Sequence, residues 1–201
     1  MLSTPQYSSL LSRSYWRDAS ACLKRPLILA VAALLAAMST VINLYVMIPV
    51  ADNLNIMLQY VPTAIMAMIC GPWTAILFGV VTDILDFVLH GWGFFPGYTL
   101  SSVLGAVIYA LFLFRSRITV VRVLLARLTV NLLVNVALGS LWSAMMSGRG
   151  YGFYFTASLV KNLILLPVEV LALLAVLRLL MPAMSQLRLI PQQSGRRIAL
   201  I

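Results

Sequence analysis

Polar side chains inside long apolar stretches are the residues of this chain best placed to do chemistry, because a charged group that faced lipid would be costly. Asp83 and Asp86 lie three residues apart in one such stretch. Residues three or four apart share one face of a helix. Two other apolar stretches contribute the remaining polar groups: Arg127, Asn131, Asn135, Lys161, Asn162 and Glu169.

These groups fit either a binding cavity or a set of contacts between helices. In the second case Asp83 or Asp86 would pair with Lys161, and Arg127 would pair with Glu169. The sequence leaves both interpretations open for each of these residues. Several residues are predicted to fall in the outer halves of their helices, where they would line one outward-facing cavity. They are Asp83, Asp86, Asn135, Trp142, Lys161 and Asn162.

Two loops rich in glycine and aromatic residues lie next to these stretches, at 90–97 and 148–154. Their rings could stack on a flat heteroaromatic ligand, although composition alone favours an aromatic belt at the membrane surface. The glycines make both loops plausible mobile lids.

The apolar stretches themselves are long enough to be transmembrane helices, which need about 20 residues each. The sequence predicts an all-α integral membrane bundle of six transmembrane helices. Pro62 is expected to kink the second helix or break its first turn, and Gly71 with Pro72 to form a tight turn after it. The six helices are predicted at 27–47, 54–70, 73–89, 98–114, 123–146 and 154–181.

Composition and charge agree with this architecture and give it an orientation. The chain is 62% hydrophobic and only 9% charged, which suits lipid rather than water as the surrounding solvent. Ten of the fourteen basic residues fall on one side of the predicted bundle. The positive-inside rule therefore predicts a multi-pass protein of the cell membrane with both termini cytoplasmic: a tail at 1–26, the membrane domain at 27–182 and a second tail at 183–201.

Several classes of site are disfavoured. The chain contains no GxxxxGK[ST] loop, so any step driven by ATP must come from another subunit. His90 is the only histidine, which argues against an HExxH zinc site and against a Ser-His hydrolytic pair. Asp83 and Asp86 lack further acidic partners for a metal. We therefore expect no catalytic residue, metal site or cofactor, and no enzyme activity.

Small residues recur on the first predicted helix with the spacing that lets another helix backbone approach closely. Either a helix of this protein or a partner membrane protein could use them. They form two overlapping pairs: Ala32 with Ala36, and Ala33 with Ala37.

Four segments carry a family resemblance: ALLAAMSTVI from Ala33, TDILDFVL ending at Leu89, FFPGYTLSSVLG from Phe94 and LVKNLILLPVEV from Leu159. Together they resemble the substrate-binding S components of energy-coupling factor (ECF) transporters, and the folate family most closely. FFPGYTLS and VKNLILLP are the specific parts. The resemblance runs from the first helix to the sixth and leaves out roughly the first twenty and the last fifteen residues.

The resemblance implies a six-helix subunit of a vitamin importer that captures folate from outside with high affinity. It also implies docking, through Ala33 and Ala37 or the alternative register Ala32 and Ala36, onto a transmembrane coupling subunit completed by two cytoplasmic ATPases. Nucleic acid is not an expected partner. The ligand residues that it implies are Asp83, Pro96, Gly97, Tyr98, Asn135, Trp142, Lys161 and Asn162.

One departure from the folate pattern concerns the residues shortly before Lys161. A basic residue often stands there in the family, whereas this chain has Ala157, Ser158 and Leu159. Arg149 is a candidate substitute.

A folate is chemically compatible with these residues. Asn135 or Asp83 would hydrogen-bond the pterin ring, and Trp142 or Tyr98 would stack on it. Lys161 or Arg149 would bind the glutamate carboxylates.

Three alternatives remain at this point. The same fold could bind riboflavin, thiamine or a queuosine precursor, Asp83 and Asp86 could serve a membrane-embedded metal-dependent enzyme, or the polar residues could only hold the helices of a structural subunit together.

Overall fold

The computed structural model describes residues 13–51, 54–91, 94–148, 150–187 and 189–191, and for 47–51 and 54–57 it describes the backbone only. The predicted ligand residue Arg149 therefore lies outside the described residues, as do Asp52, Trp92 and the basic residues of the carboxyl-terminal tail.

Helices account for most of the described chain. In chain order the elements are α1 (Arg13–Cys22), α2 (Pro26–Tyr45), β1 (Met47–Ala51), β2 (Leu54–Met57), α3 (Tyr60–His90), α4 (Pro96–Leu113), α5 (Val120–Thr129), a π-helical segment (Val130–Leu138), α6 (Gly139–Ser147) and α7 (Tyr151–Gln186).

Five of the helical segments are long and apolar enough to cross a membrane, counting the continuous stretch Val120–Ser147 as one. The predicted helical membrane bundle is thus confirmed. In two places the fold differs from the sequence prediction, at the second predicted helix and in the amino-terminal tail.

The second predicted helix, at 54–70, is wrong in its first part. Residues Leu54–Met57 form a strand that pairs antiparallel with β1 in a short hairpin, and the helix begins only at Tyr60. Pro62 stands in the first turn of α3, where its missing N–H costs no helical hydrogen bond. An all-α description of the chain therefore omits one small hairpin.

The break that the sequence placed at Gly71 is present inside α3. Gly71 has φ of +80°, which is left-handed backbone that favours glycine, and a Cβ there would lie 2.9 Å from the Phe114 ring. α3 consequently has two arms, at 60–70 and at 72–90. The first arm has eleven residues and measures about 16 Å, roughly half the hydrocarbon thickness.

Two contacts, one just before the break at Gly71 and one in the second arm, fix how α3 lies against α2. Near the amino end of α2, the Cys70 thiol contacts the carbonyl of Ile28 at 3.8 Å, and near its carboxyl end Asn43 donates to Asp86 at 2.8 Å. The two segments therefore run in the same direction. We call the end of the bundle at which α2 begins the proximal end, and the end at which it finishes the distal end.

α4 returns from the distal to the proximal end in close contact with α3. A Cβ at Gly79 would lie only 2.7 Å from the Cα of Val103, so the two backbones touch there. This close approach brings Asp83, one turn further along α3, next to Thr99 of α4.

The second difference is α1, which lies in a region predicted only as a tail. It packs on the proximal end of the bundle through Tyr15, whose hydroxyl donates to the carbonyl of Ala110 at 3.3 Å. Burial raises the pKa of Tyr15 to about 12, so this hydroxyl stays protonated at neutral pH and keeps its role as a donor.

The two alanine pairs of α2 face opposite ways. Ala32 and Ala36 are buried in the protein's own core, with 8% and 5% of their surface exposed. Ala33 and Ala37 are exposed. The register of Ala32 and Ala36 is therefore used internally, which leaves Ala33 and Ala37 as the pair open to a partner helix.

Candidate ligand-binding site

The bundle contains a partly open cavity of about 690 Å³ lined by α2, α3, α4, α5, the π-helical segment, α6 and α7. This volume lies within the range of small-molecule sites in proteins. Polar groups from different helices meet on its wall, including Asn43, Asp83, His90, Asn135, Lys161 and Asn162.

A buried ion pair closes one part of the cavity. Arg127 of α5 donates from Nε to Glu169 Oε2 at 2.9 Å and from Nη2 to Oε1 at 2.5 Å. The two side chains are only 6% and 7% exposed. The predicted pairing of Arg127 with Glu169 is thus confirmed. Because the geometry is bidentate and buried, each charge satisfies the other.

Three further side chains surround this pair, two through hydrogen bonds and one through its aromatic ring. Tyr109 accepts from Arg127 Nη1 at 2.9 Å, and Asn131 donates to Glu169 Oε2 at 2.9 Å. The Arg127 guanidinium lies 4.0 Å from the ring centre of Tyr60. We call these five residues the floor network. It joins α3, α4, α5, the π-helical segment and α7 at one point.

A ladder of amides leads from the floor network to the cavity wall. Asn135 donates to Asn131 Oδ1 at 3.0 Å and lies 3.4 Å from Asn162 Oδ1, while Asn162 donates to the carbonyl of Ser158 at 2.8 Å. The π-helical turn is wider than an α-helical one and recurs at functional sites. Here it holds Asn131 and Asn135 on the same side, as their spacing predicts.

Carboxylates stand on the wall formed by α3. Asp83 accepts from the Thr99 hydroxyl at 2.6 Å, and Asp86 accepts from Asn43 at 2.8 Å. The predicted pairing of either aspartate with Lys161 is wrong, because within the described residues the only ion pairs are Arg127 with Glu169 and Arg115 with Asp18. Lys161 therefore lines the cavity with no carboxylate of the described chain neutralising it.

Aromatic rings form the distal part of the wall. Phe95 packs edge to face on Tyr98 and on Trp142, with ring centres 5.7 and 5.6 Å apart. Trp142 donates from its indole nitrogen to the Ser101 hydroxyl at 2.9 Å. A Cβ at Gly97 would lie 2.6 Å from Trp142, so this glycine lets the rings close together.

The predicted ligand residues fall into two groups. Pro96, Gly97 and Trp142 do not line the cavity, although Trp142 packs against Phe95, which does, and Arg149 lies outside the described residues. The predicted residues that do line it are Asp83, Tyr98, Asn135, Lys161 and Asn162.

Several residues that line the cavity were not predicted from the sequence to do so. Asn43 interrupts the apolar first helix and could have been recognised by that signal, whereas Tyr60 and Tyr109 carry none, since tyrosine is common near membrane surfaces.

Comparison with known proteins places the chain in a family. Residues 28–181 match the family described as ECF transporter, substrate-specific component. The chain belongs to this family. It is therefore a multi-pass membrane protein and a component of a transporter rather than an enzyme.

Within this family, the chain is similar to proteins named as folate transporters. Over 115 residues the chain is 34% identical to the folate transporter FolT of Clostridium novyi (strain NT), covering 57% of this chain and 67% of that protein. Over 124 residues it is 27% identical to FolT of Leuconostoc mesenteroides, covering 58% and 67%. A crystal structure of FolT bound with folic acid matches with a TM-score of 0.64 and 30% identity over 72% of this chain and 87% of that one.

The floor network makes a prediction for stability. R127M should lower the free energy of unfolding by about 3–5 kcal/mol, because it leaves the Glu169 carboxylate buried without its counter-charge. E169L should cost a similar amount. The double variant R127M/E169L should lose much less than the two single losses combined, since it leaves neither charge behind.

The free energies of unfolding of the three variants and of the unmodified chain are measured in the same detergent. A double variant whose loss equals the sum of the single losses would contradict a coupled buried pair.

Proposed function

We propose that this chain binds folate in the cavity, as the substrate-binding subunit of an ECF-type vitamin importer. The observation that carries the proposal is Lys161 on the α7 wall of the cavity, a cation that no carboxylate of the described residues neutralises, facing a cavity whose α3 wall carries the carboxylate of Asp83. The solved FolT structure, 30% identical to this chain, holds folic acid.

Folate matches the polarity of these walls. Its pterin ring offers neighbouring N–H donors that suit the carboxylate of Asp83, and its glutamate end carries two carboxylates that suit Lys161. Asn135 and Asn162 add amide donors and acceptors on the same side as Lys161. Tyr98 and Phe95 offer rings against which a flat ligand can pack. The other vitamins considered from the sequence lack a comparable supporting observation.

Lys161 and Asp83 can be tested separately with pteroate, which is folate without the glutamate. K161M should weaken folate binding by about 10- to 100-fold, the loss expected for a hydrogen bond to a charged group, and should leave pteroate binding nearly unchanged. D83N should weaken both ligands together. Equilibrium titration of the purified variants measures both affinities.

R178M is the matched control, because Arg178 is an exposed cation on the same helix that does not line the cavity. It should bind both ligands as the unmodified chain does. If K161M weakened folate and pteroate equally, or weakened neither, Lys161 would not contact the glutamate end.

We propose six passages of the chain through the membrane, with both termini cytoplasmic. α2 ends distally and the second arm of α3 begins proximally, so the hairpin with the first arm of α3 must carry the chain back. Eight basic residues of the described chain lie towards the proximal end, Arg178 of α7 among them, against one acidic residue. The positive-inside rule makes that end cytoplasmic.

Single cysteines test this orientation in a C22A/C70A background. A membrane-impermeant maleimide should label G150C in intact cells, whereas it should label S20C only after lysis. The reverse pattern would contradict the orientation.

We propose further that Ala33 and Ala37 dock onto the transmembrane coupling subunit, with ATP hydrolysis on two cytoplasmic ATPase subunits. Both alanines are exposed on α2, and small residues let a partner helix approach. The plasma membrane is the expected location of such an importer.

A33L/A37L should abolish folate uptake by cells that contain the coupling subunits, and it should leave the folate affinity of the purified chain unchanged. The matched control A175L/A183L places the same substitutions at exposed positions of α7. Normal uptake by A33L/A37L, or equal loss in the control, would argue against this docking face.

A further inference from the structure

α1 presents a second surface that the cavity does not use. One side of this helix is buried against the proximal end of the bundle, where Tyr15, Ala19 and Cys22 are 1%, 0% and 2% exposed. The opposite side is exposed and carries Arg13 and Arg17, one helical turn apart. In the sequence, α1 precedes the residues that match the family, 28–181, so the family match does not include this helix.

The orientation of α1 is fixed by contacts with two other segments. Asp18 forms an ion pair with Arg115, which follows α4, and the Tyr15 ring packs edge to face on Phe114 at 5.4 Å. Trp16 meets Trp73, at the start of the second arm of α3, with ring centres 6.0 Å apart. The exposed side of α1 therefore has a defined position on the bundle.

The two tryptophans place α1 at the level of the membrane surface. Trp16 and Trp73 are 40% and 44% exposed, at the end where the membrane-spanning part of α3 begins. Tryptophan is enriched at this depth, because its ring is apolar and its N–H is polar. A helix held there has the basic polar side that is typical of helices in the plane of the interface, while its apolar side packs on the bundle.

The charge around α1 is strongly positive. Asp18 is the one acidic residue of the described chain at this end, and it is already paired with Arg115. The basic residues of α1 and of the two segments nearest to it, 23–25 and 115–122, are Arg13, Arg17, Lys24, Arg25, Arg115, Arg117 and Arg122. Such an excess creates a positive potential that attracts anions from outside the chain.

We propose that the exposed side of α1, together with Lys24, binds the headgroups of anionic phospholipids. Arg13, Arg17 and Lys24 supply the contacts to the lipid phosphates, and the tryptophan pair sits among the glycerol and acyl regions. Because α1 is clamped to α3 and to the end of α4, lipid bound there anchors the proximal end of the whole bundle to the leaflet. This surface is independent of the cavity and of its ligand.

Titration of the full chain in detergent with phosphatidylglycerol or phosphatidylcholine tests the proposal, with bound lipids counted by native mass spectrometry. The unmodified chain should prefer phosphatidylglycerol. R13Q/R17Q/K24Q should weaken phosphatidylglycerol binding by at least about tenfold, since one basic residue near a membrane surface contributes about fivefold. Its phosphatidylcholine binding and its unfolding midpoint should not change.

The matched control is R188Q/R196Q/R197Q, which removes the same three charges from the carboxyl-terminal tail. It should retain the preference for phosphatidylglycerol. An equal loss in both variants would show a general charge effect and overturn the assignment to α1. Unchanged lipid binding in R13Q/R17Q/K24Q with lost binding to the coupling subunits would make this side a protein-docking surface, and would overturn the proposal as well.

Discussion

The ion pair between Arg127 and Glu169 is the interaction on which the rest of this bundle depends. Two charges buried among apolar helices are tolerable only when each neutralises the other and the remaining hydrogen bonds are made. Here Tyr109, Asn131 and the Tyr60 ring meet those needs. Since these five residues come from five segments, satisfying one charge pair fixes the relative positions of most of the bundle.

The same constraint explains the polar groups on the α7 side of the cavity. Once Glu169 is saturated by Arg127 and Asn131, the amides of Asn135 and Asn162 extend the hydrogen-bonded ladder to the cavity wall, where Lys161 has no carboxylate partner among the described residues. The ligand role proposed for Lys161 follows from this contrast, because a cation in a cavity without a carboxylate partner suits a ligand with an anionic group. The aspartates of α3 are engaged by Thr99 and Asn43 instead.

Much of this arrangement could be predicted from the sequence. The hydropathy of the long runs located the five helices that are long enough to span a membrane. The four-residue spacing of Arg127, Asn131 and Asn135 placed them on one helix face, and the pairing of Arg127 with Glu169 was one of the two alternatives that the sequence left open. The hairpin could not be predicted, because residues 54–57 are as apolar as a helix and only the pairing with β1 distinguishes them.

Other features depend on contacts between segments distant in sequence. α1 is amphipathic but short, so only its packing on Phe114 and Arg115 makes it a defined element. The failed pairing of Asp83 with Lys161 has the same origin, because the touching backbones at Gly79 and Val103 give Asp83 a closer partner in Thr99.

The most direct test of the central claim is to identify the small molecules released when the purified, detergent-solubilised chain is denatured, by ultraviolet absorption and mass spectrometry. The account predicts folate in near-equal amount to protein, or saturable binding when folate is added to chain purified without it. Release of no folate, followed by no binding in titration, would contradict the account.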